Sequence, residues 1–170
     1  MNNLDNLTQA ILQTRKTLFI MCGLPYAGKS HIAKQLRSET SISYISIDDI
    51  FHAKGFDWDT DKLPNEEGWQ QIFTESYEST RQLLMSGNNV LYDSTNQTKE
   101  SRDKLRNIAN SVGADTYVVY VNAPISTIWQ RWEENNSNHQ RSVVSRDLVQ
   151  TTIDMFEEPS EEEKVFVVNN

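Results

Sequence analysis

Gly23-Leu24-Pro25-Tyr26-Ala27-Gly28-Lys29-Ser30 fills every fixed position of the pattern G-x-x-x-x-G-K-[ST] and follows the β-type run Thr17-Leu18-Phe19-Ile20-Met21. The two glycines let the backbone curl so that successive N–H groups face a phosphate, where a side chain would block the approach. A helix expected from about Lys29 to Ser38 starts at the loop, and its N-terminal dipole and free N–H groups add to the same anion field. Lys29 has the reach for β/γ-phosphates, and the Ser30 hydroxyl suits Mg²⁺. The expected nucleotide-binding set is Gly23, Leu24, Pro25, Tyr26, Ala27, Gly28, Lys29, Ser30 and His31, with ATP and Mg²⁺ as ligands.

Outward from the loop, strands and helices alternate. Strands are expected at 17–22, 43–47, 89–92, 115–121 and 165–168, and helices at 69–85, 98–111, 124–134 and 146–156. Residues 50–68 read as an irregular excursion carrying Gly55 and Pro64, and 135–140 as a polar loop. Leu4, Leu7, Ile11 and Leu12 fall at helical spacing, so 1–16 is expected to be a lead-in helix, ahead of a single domain over 17–170. This alternation predicts an α/β fold with a parallel sheet covered on both faces, its ligands bound beyond the carboxyl ends of the strands. Gly23, Asp48 and Asp93 all fall just after expected strands, so three polar features converge on one rim.

Composition narrows the partners. With 170 residues and 37 % apolar content the chain suits one domain with a sizeable core. The formal charge of −8 argues against charge-driven adhesion to nucleic acid or anionic membrane, which leaves nucleic acid only as a substrate. Neither a run of 18 apolar residues nor a signal-peptide pattern is present, so no membrane partner is expected and the cytoplasm is the expected setting. Cys22 is the one cysteine, which excludes an intramolecular disulfide. The acidic runs Asp57–Asp61 and Glu157–Glu163 read as solvated surface.

A phosphotransferase must hold ATP and Mg²⁺, orient a hydroxyl acceptor, take its proton and neutralise charge on the transferred group. Asp48, expected at the tip of the second strand, is the candidate base; Asp49 would point elsewhere on an extended chain, and an N-cap role for Asp48 competes. Asp93, opening Asp93-Ser94-Thr95-Asn96, suits a Mg²⁺ or acceptor ligand, or a turn-forming cap. Arg131, Arg141 and Arg146 flank 135–140, and a helix-loop-helix lid around 131–146 would bring Arg131 and Arg141 over the phosphates; taken singly, each also suits a surface ion pair. Arg102 is either a contact for an anionic acceptor or an exposed helical arginine. Trp58 suits base stacking or core packing.

With Gly-x-Pro-x-x-Gly-Lys-Ser, Ile47-Asp48-Asp49, Val90-Leu91-Tyr92-Asp93 leading to Thr95-Asn96, Arg102 and a late arginine-bearing segment in order, the chain resembles the small P-loop kinases related to polynucleotide 5′-kinases and zeta toxins. The resemblance implies a P-loop NTPase three-layer sandwich with a five-stranded, adenylate-kinase-like parallel sheet. It also implies that Asp48 activates the acceptor hydroxyl, that Asp93 and Asn96 form the acceptor and metal region, and that Arg131 and Arg141 belong to the lid. In polynucleotide 5′-kinases an arginine gripping the acceptor phosphate follows the Asp-Asp pair after one residue; here Ile50-Phe51-His52 stands there, which counts against nucleic acid as the acceptor. An ATP-dependent kinase acting on a polynucleotide 5′-OH, a nucleoside or a small molecule is the leading expectation. An ATP-responsive binding module or toxin-antitoxin component without phosphotransfer is the alternative.

Overall fold

Thr17–Cys22 forms β1, and all six of its residues are buried. Alternate side chains of a strand leave by opposite faces. Phe19 and Met21 accordingly join Leu7, Ile11, Ile32 and Leu36 in one cluster, while Leu18 and Ile20 join Phe51, Ile72, Leu84 and Leu105 in another. A strand covered on both sides reads as an unbroken apolar run, which is why this segment shows no alternation.

The computed structural model describes residues 3–60, 62–140 and 142–170. Around β1 stand α1 (Asn3–Gln13), α2 (Lys29–Thr40), β2 (Ser43–Ser46), α3 (Ile47–Ala53), α4 (Glu66–Met85), β3 (Val90–Asp93) and α5 (Lys99–Ser111). The chain continues through β4 (Asp115–Asn122), α6 (Ile125–Asn138), α7 (Arg146–Asp154), a 3₁₀ turn (Glu161–Glu163) and β5 (Val165–Asn169). The five strands are parallel in the order β2-β3-β1-β4-β5. From β1 the chain fills one side with β2 and β3, then crosses to the other for β4 and β5. β1 thus stands where the strand order reverses, the place at which open α/β sheets form a ligand crevice.

Three segments differ from the sequence reading. The expected irregular stretch 50–68 overlaps a real helix, α3, whose N-cap Ser46 accepts a hydrogen bond from the Asp49 N–H at 3.1 Å and ends β2 one residue early. Seven residues with two buried positions, Ile47 and Phe51, are too few to show a period. α4 starts at Glu66 because the Asn65 side chain accepts from the Gly68 N–H at 2.8 Å. α6 runs through Asn138, absorbing most of the expected loop 135–140, and closes on His139 in the left-handed region at φ 49°.

The α3–α4 flank is a stack of rings. Phe51 lies 4.6 Å from Trp58 and 5.6 Å from Trp69, and the series continues through Phe73 and Tyr77 to Tyr92. Trp58 is thereby used in packing, fastening the excursion after α3 to the core.

Candidate active site

The loop between β1 and α2 is held open by its backbone. Gly23 adopts φ 152° at a place where a Cβ would lie 2.5 Å from the Val121 carbonyl oxygen on β4. Gly28 adopts φ 100° and forms the N-cap of α2, where a Cβ would collide with the Asn170 side chain. Gly23 therefore excludes other residues on conformation and on space, and Gly28 on conformation. The Gly23 N–H donates to the Thr95 carbonyl at 3.2 Å, and the Asn170 amide donates to the Ala27 carbonyl at 2.8 Å, so neighbouring strand ends brace the loop.

Lys29, the first residue of α2, folds back along the loop and donates to the carbonyls of Gly23 at 2.9 Å and Leu24 at 2.8 Å. Its ammonium stays over the phosphate cradle. Ser30 and His31 are exposed on the first turn of α2, Leu24 and Pro25 are half-buried, and Tyr26 and Ala27 are buried. From the far side, the Arg131 guanidinium on α6 donates to the carbonyls of Tyr26 at 3.1 Å and Ala27 at 3.2 Å. Arg131, the first of the two arginines expected in a lid, is thus docked on the loop; Arg141 lies outside the described residues.

Asp93 ends β3, the strand beside β1, and is nine-tenths buried. Burial pushes its carboxyl above the usual range. A hydrogen bond from Tyr44 and the charge of Lys29 pull it back down, while Asp48 and Asp49 push it up. Lys29 at the start of α2, Asp93 at the end of β3, and Asp48 and Asp49 in the first turn of α3 all stand at the carboxyl rim of the sheet. Asp48 differs from expectation in its setting: it sits in the first turn of α3, not at an extended strand tip, and Ser46 is the cap. Both acids are exposed there, so the extended-chain argument that set Asp49 apart does not apply.

Two expected acceptor contacts are used internally. Arg102 is wholly buried. It pairs with both carboxylate oxygens of Glu163 at 2.8 and 3.0 Å and donates to the carbonyls of Asn96 and Glu157, each at 3.0 Å. It is therefore neither the expected acceptor contact nor an exposed helical arginine. Asn96, in the left-handed region at φ 45°, turns its amide inward to the Met21 carbonyl at 2.6 Å and fastens the segment after β3 to β1. Burial opposes the charge on Glu163, but hydrogen bonds from Arg102, the Ser160 backbone and Arg106 outweigh it and hold the carboxyl at about 2. Glu163 belongs to the acidic run expected to be solvated, and that expectation fails here. Cys22, beside Arg102, has its thiol pushed up to about 11, chiefly by burial.

The segment after α6 is tied at two adjacent residues. The Trp132 indole donates to the Val144 carbonyl at 2.8 Å, and the Val143 N–H donates to Asp59 at 2.6 Å, joining it to the excursion beyond α3. Arg146 lies over Trp129 at 4.6 Å and Trp132 at 5.6 Å, which accounts for its charge without a phosphate. Sequence reasoning missed Tyr44, Asp59, Glu163 and Asn170, none of which falls in a spaced motif.

The sheet order, the glycine-bounded loop and the lysine opening α2 define a P-loop kinase-like domain. The chain belongs to the KTI12 family, described as chromatin associated protein KTI12, whose model matches residues 17–165. Among solved structures it is similar to Chaetomium thermophilum Kti12 in complex with ADP-AlF3, at 20 % identity and TM-score 0.71 over 89 % of this chain and 88 % of that one. It is similar to a gluconokinase from Sinorhizobium meliloti 1021 at 16 % identity and TM-score 0.63, over 91 % and 82 % of the two chains. A chain of the Pnkp1/Rnl/Hen1 RNA repair complex matches at 19 % identity and TM-score 0.70, over 84 % of this chain and 44 % of that one. At these identities the likeness is one of fold. No curated protein matches the chain.

Proposed function

We propose that the chain binds ATP with Mg²⁺ and transfers the γ-phosphoryl group to a hydroxyl. The observation that carries this reading is topological: the lysine opening α2 after β1, the carboxylate ending β3 and the first turn of α3 after β2 stand on one rim of the parallel sheet. Backbone N–H groups of the loop cradle the phosphates, Pro25 having none and Gly23 being committed to the Thr95 carbonyl, and Lys29 exchanges its loop carbonyls for β/γ-oxygens. Asp48 accepts the acceptor's proton as the new O–P bond forms and the bridging O–P bond breaks, with ADP leaving. Arg131, already against the loop, neutralises charge on the transferred group, and Arg141 is assigned to the same lid.

The donor set fits Mg²⁺: a hydroxyl, Ser30, on the first turn of α2 and a carboxylate, Asp93, on the adjacent strand end. Among the described residues no three His, Cys, Asp or Glu side chains gather into a metal cage. That suits a cation held by one carboxylate, substrate phosphates and water. When bound, Mg²⁺ supplies charge neutralisation at the β- and γ-oxygens. Among the described residues no helix is long and apolar enough to cross a membrane, and a cytoplasmic setting accords with a nucleotide substrate.

The test is a pair of variants. Lys29→Ala is expected to abolish Mg·ATP binding in calorimetry, whereas Asp48→Ala is expected to keep binding and lose acceptor phosphorylation. Full kinase activity in Asp48→Ala rejects that base. A second reading, an ATP-responsive binding module or toxin-antitoxin component without transfer, is favoured by the burial of Arg102, which removes the expected anion contact from the acceptor side. The description of the KTI12 family as chromatin associated points the same way. Labelled ATP incubated with 5′-hydroxyl oligonucleotides, nucleosides and sugars separates the two readings, since transfer to any of them decides for the kinase.

A further inference from the structure

Tyr44 lies on β2, two residues before Ser46, and the register pairs Ser46 with Asp93. Residues two apart on a strand share a face, so the Tyr44 ring runs along the sheet toward the Asp93 carboxylate. Its hydroxyl donates to Asp93 Oδ2 at 2.6 Å. The ring is fixed in turn by Arg37 of α2, whose guanidinium carbon lies 4.2 Å from the ring centroid. A tyrosine hydroxyl carries one O–H donor, and here the carboxylate is its acceptor. The groups acting on Asp93 from the other elements are Lys29 of α2 and Asp48 and Asp49 of α3.

A carboxylate at the end of a strand turns freely about its last bond unless something holds one oxygen. Partners that hydrogen-bond a metal-binding carboxylate set its orientation, and removing them weakens metal binding about 10- to 100-fold. We propose that Tyr44 is a positioning residue of the nucleotide site: its hydroxyl fixes one oxygen of Asp93 and leaves the other to serve Mg²⁺. This rests on the reading of Asp93 given above. It adds a second role to β2, which carries the Tyr44 hydroxyl and, through Ser46, caps α3 with its Asp48.

The experiment uses the full chain as wild type, Tyr44→Phe, Asp93→Asn and the double variant. ATP binding is measured by calorimetry in EDTA and then across a Mg²⁺ titration, with thermal midpoints as a folding control. Tyr44→Phe keeps the ring and its Arg37 contact, so its midpoint and its EDTA affinity are expected to stay within about twofold of wild type. Its Mg²⁺ half-saturation is expected to rise about tenfold. The double variant is expected to be no worse than Asp93→Asn, because Tyr44 acts through that carboxylate. A wild-type Mg²⁺ response in Tyr44→Phe beside an impaired Asp93→Asn overturns the role of Tyr44 and leaves the Asp93 reading standing. An unimpaired Asp93→Asn, or a wild-type chain that takes up no ATP, overturns both.

Discussion

Arg102 carries its charge without exposed surface and is matched by a carboxylate that is itself 5 % exposed. A buried pair of this kind is costly to break from one side, because the remaining ion keeps its desolvation penalty and loses its partner. Glu163→Ala is therefore expected to lower unfolding stability in urea by about 3–5 kcal/mol. The pH dependence follows in sign. Glu163 titrates at about 2 in the folded chain against an ordinary 4.5, so its contribution is complete above about 4.5 and is lost as pH falls toward 2. The stability gap between wild type and Glu163→Gln should accordingly be widest near neutrality and shrink between those limits; a gap that does not change with pH counts against the pair. Lys29 and the loop glycines were legible because their chemistry is local, eight consecutive residues with a fixed pattern. Arg102 with Glu163 and Tyr44 with Asp93 were not, because the partners stand 61 and 49 residues apart and only the folded sheet brings them together.

α4 begins where Asn65 caps it, and that signal was present in the Asn-Glu-Glu-Gly sequence, although apolar periodicity starts only at Trp69. Asn65→Ala is expected to cost about 1 kcal/mol in chemical denaturation. α3 offered no comparable period, and its existence depends on the Ser46 cap and on Phe51 packing beneath Trp58 and Trp69. The segment joining α6 to α7 was expected as a lid, and its described part is held from two directions, by Trp132 on α6 and by Asp59 across from it. Asp59→Ala should free the Val143 N–H, which would then exchange with deuterium about as fast as an exposed amide while the protection of β1 stays unchanged. Slow exchange at Val143 in that variant would show that the excursion does not restrain the segment.

The parallel sheet and its two covering layers were readable from the alternation of strands and helices, and the resemblance to small P-loop kinases implied five strands and the adenylate-kinase-like type. The order of the strands brings the loop after β1, the end of β3 and the start of α3 to one rim, although the three motifs are far apart in the chain. A ligand taken up only by the folded chain stabilises it by mass action, about 2.7 kcal/mol at a hundredfold excess over Kd. Mg·ATP should shift the unfolding transition of the wild type by that amount and leave Lys29→Ala unmoved. The tryptophans provide an internal means of watching each side of the rim. They fall into two pairs, Trp58 with Trp69 at 5.8 Å on the α3–α4 flank and Trp129 with Trp132 at 6.0 Å on α6. Replacing either pair with phenylalanine leaves the intrinsic emission reporting from one flank alone. Stopped-flow fluorescence on the two variants can then time events on the α3–α4 flank and on α6 separately, without an attached dye.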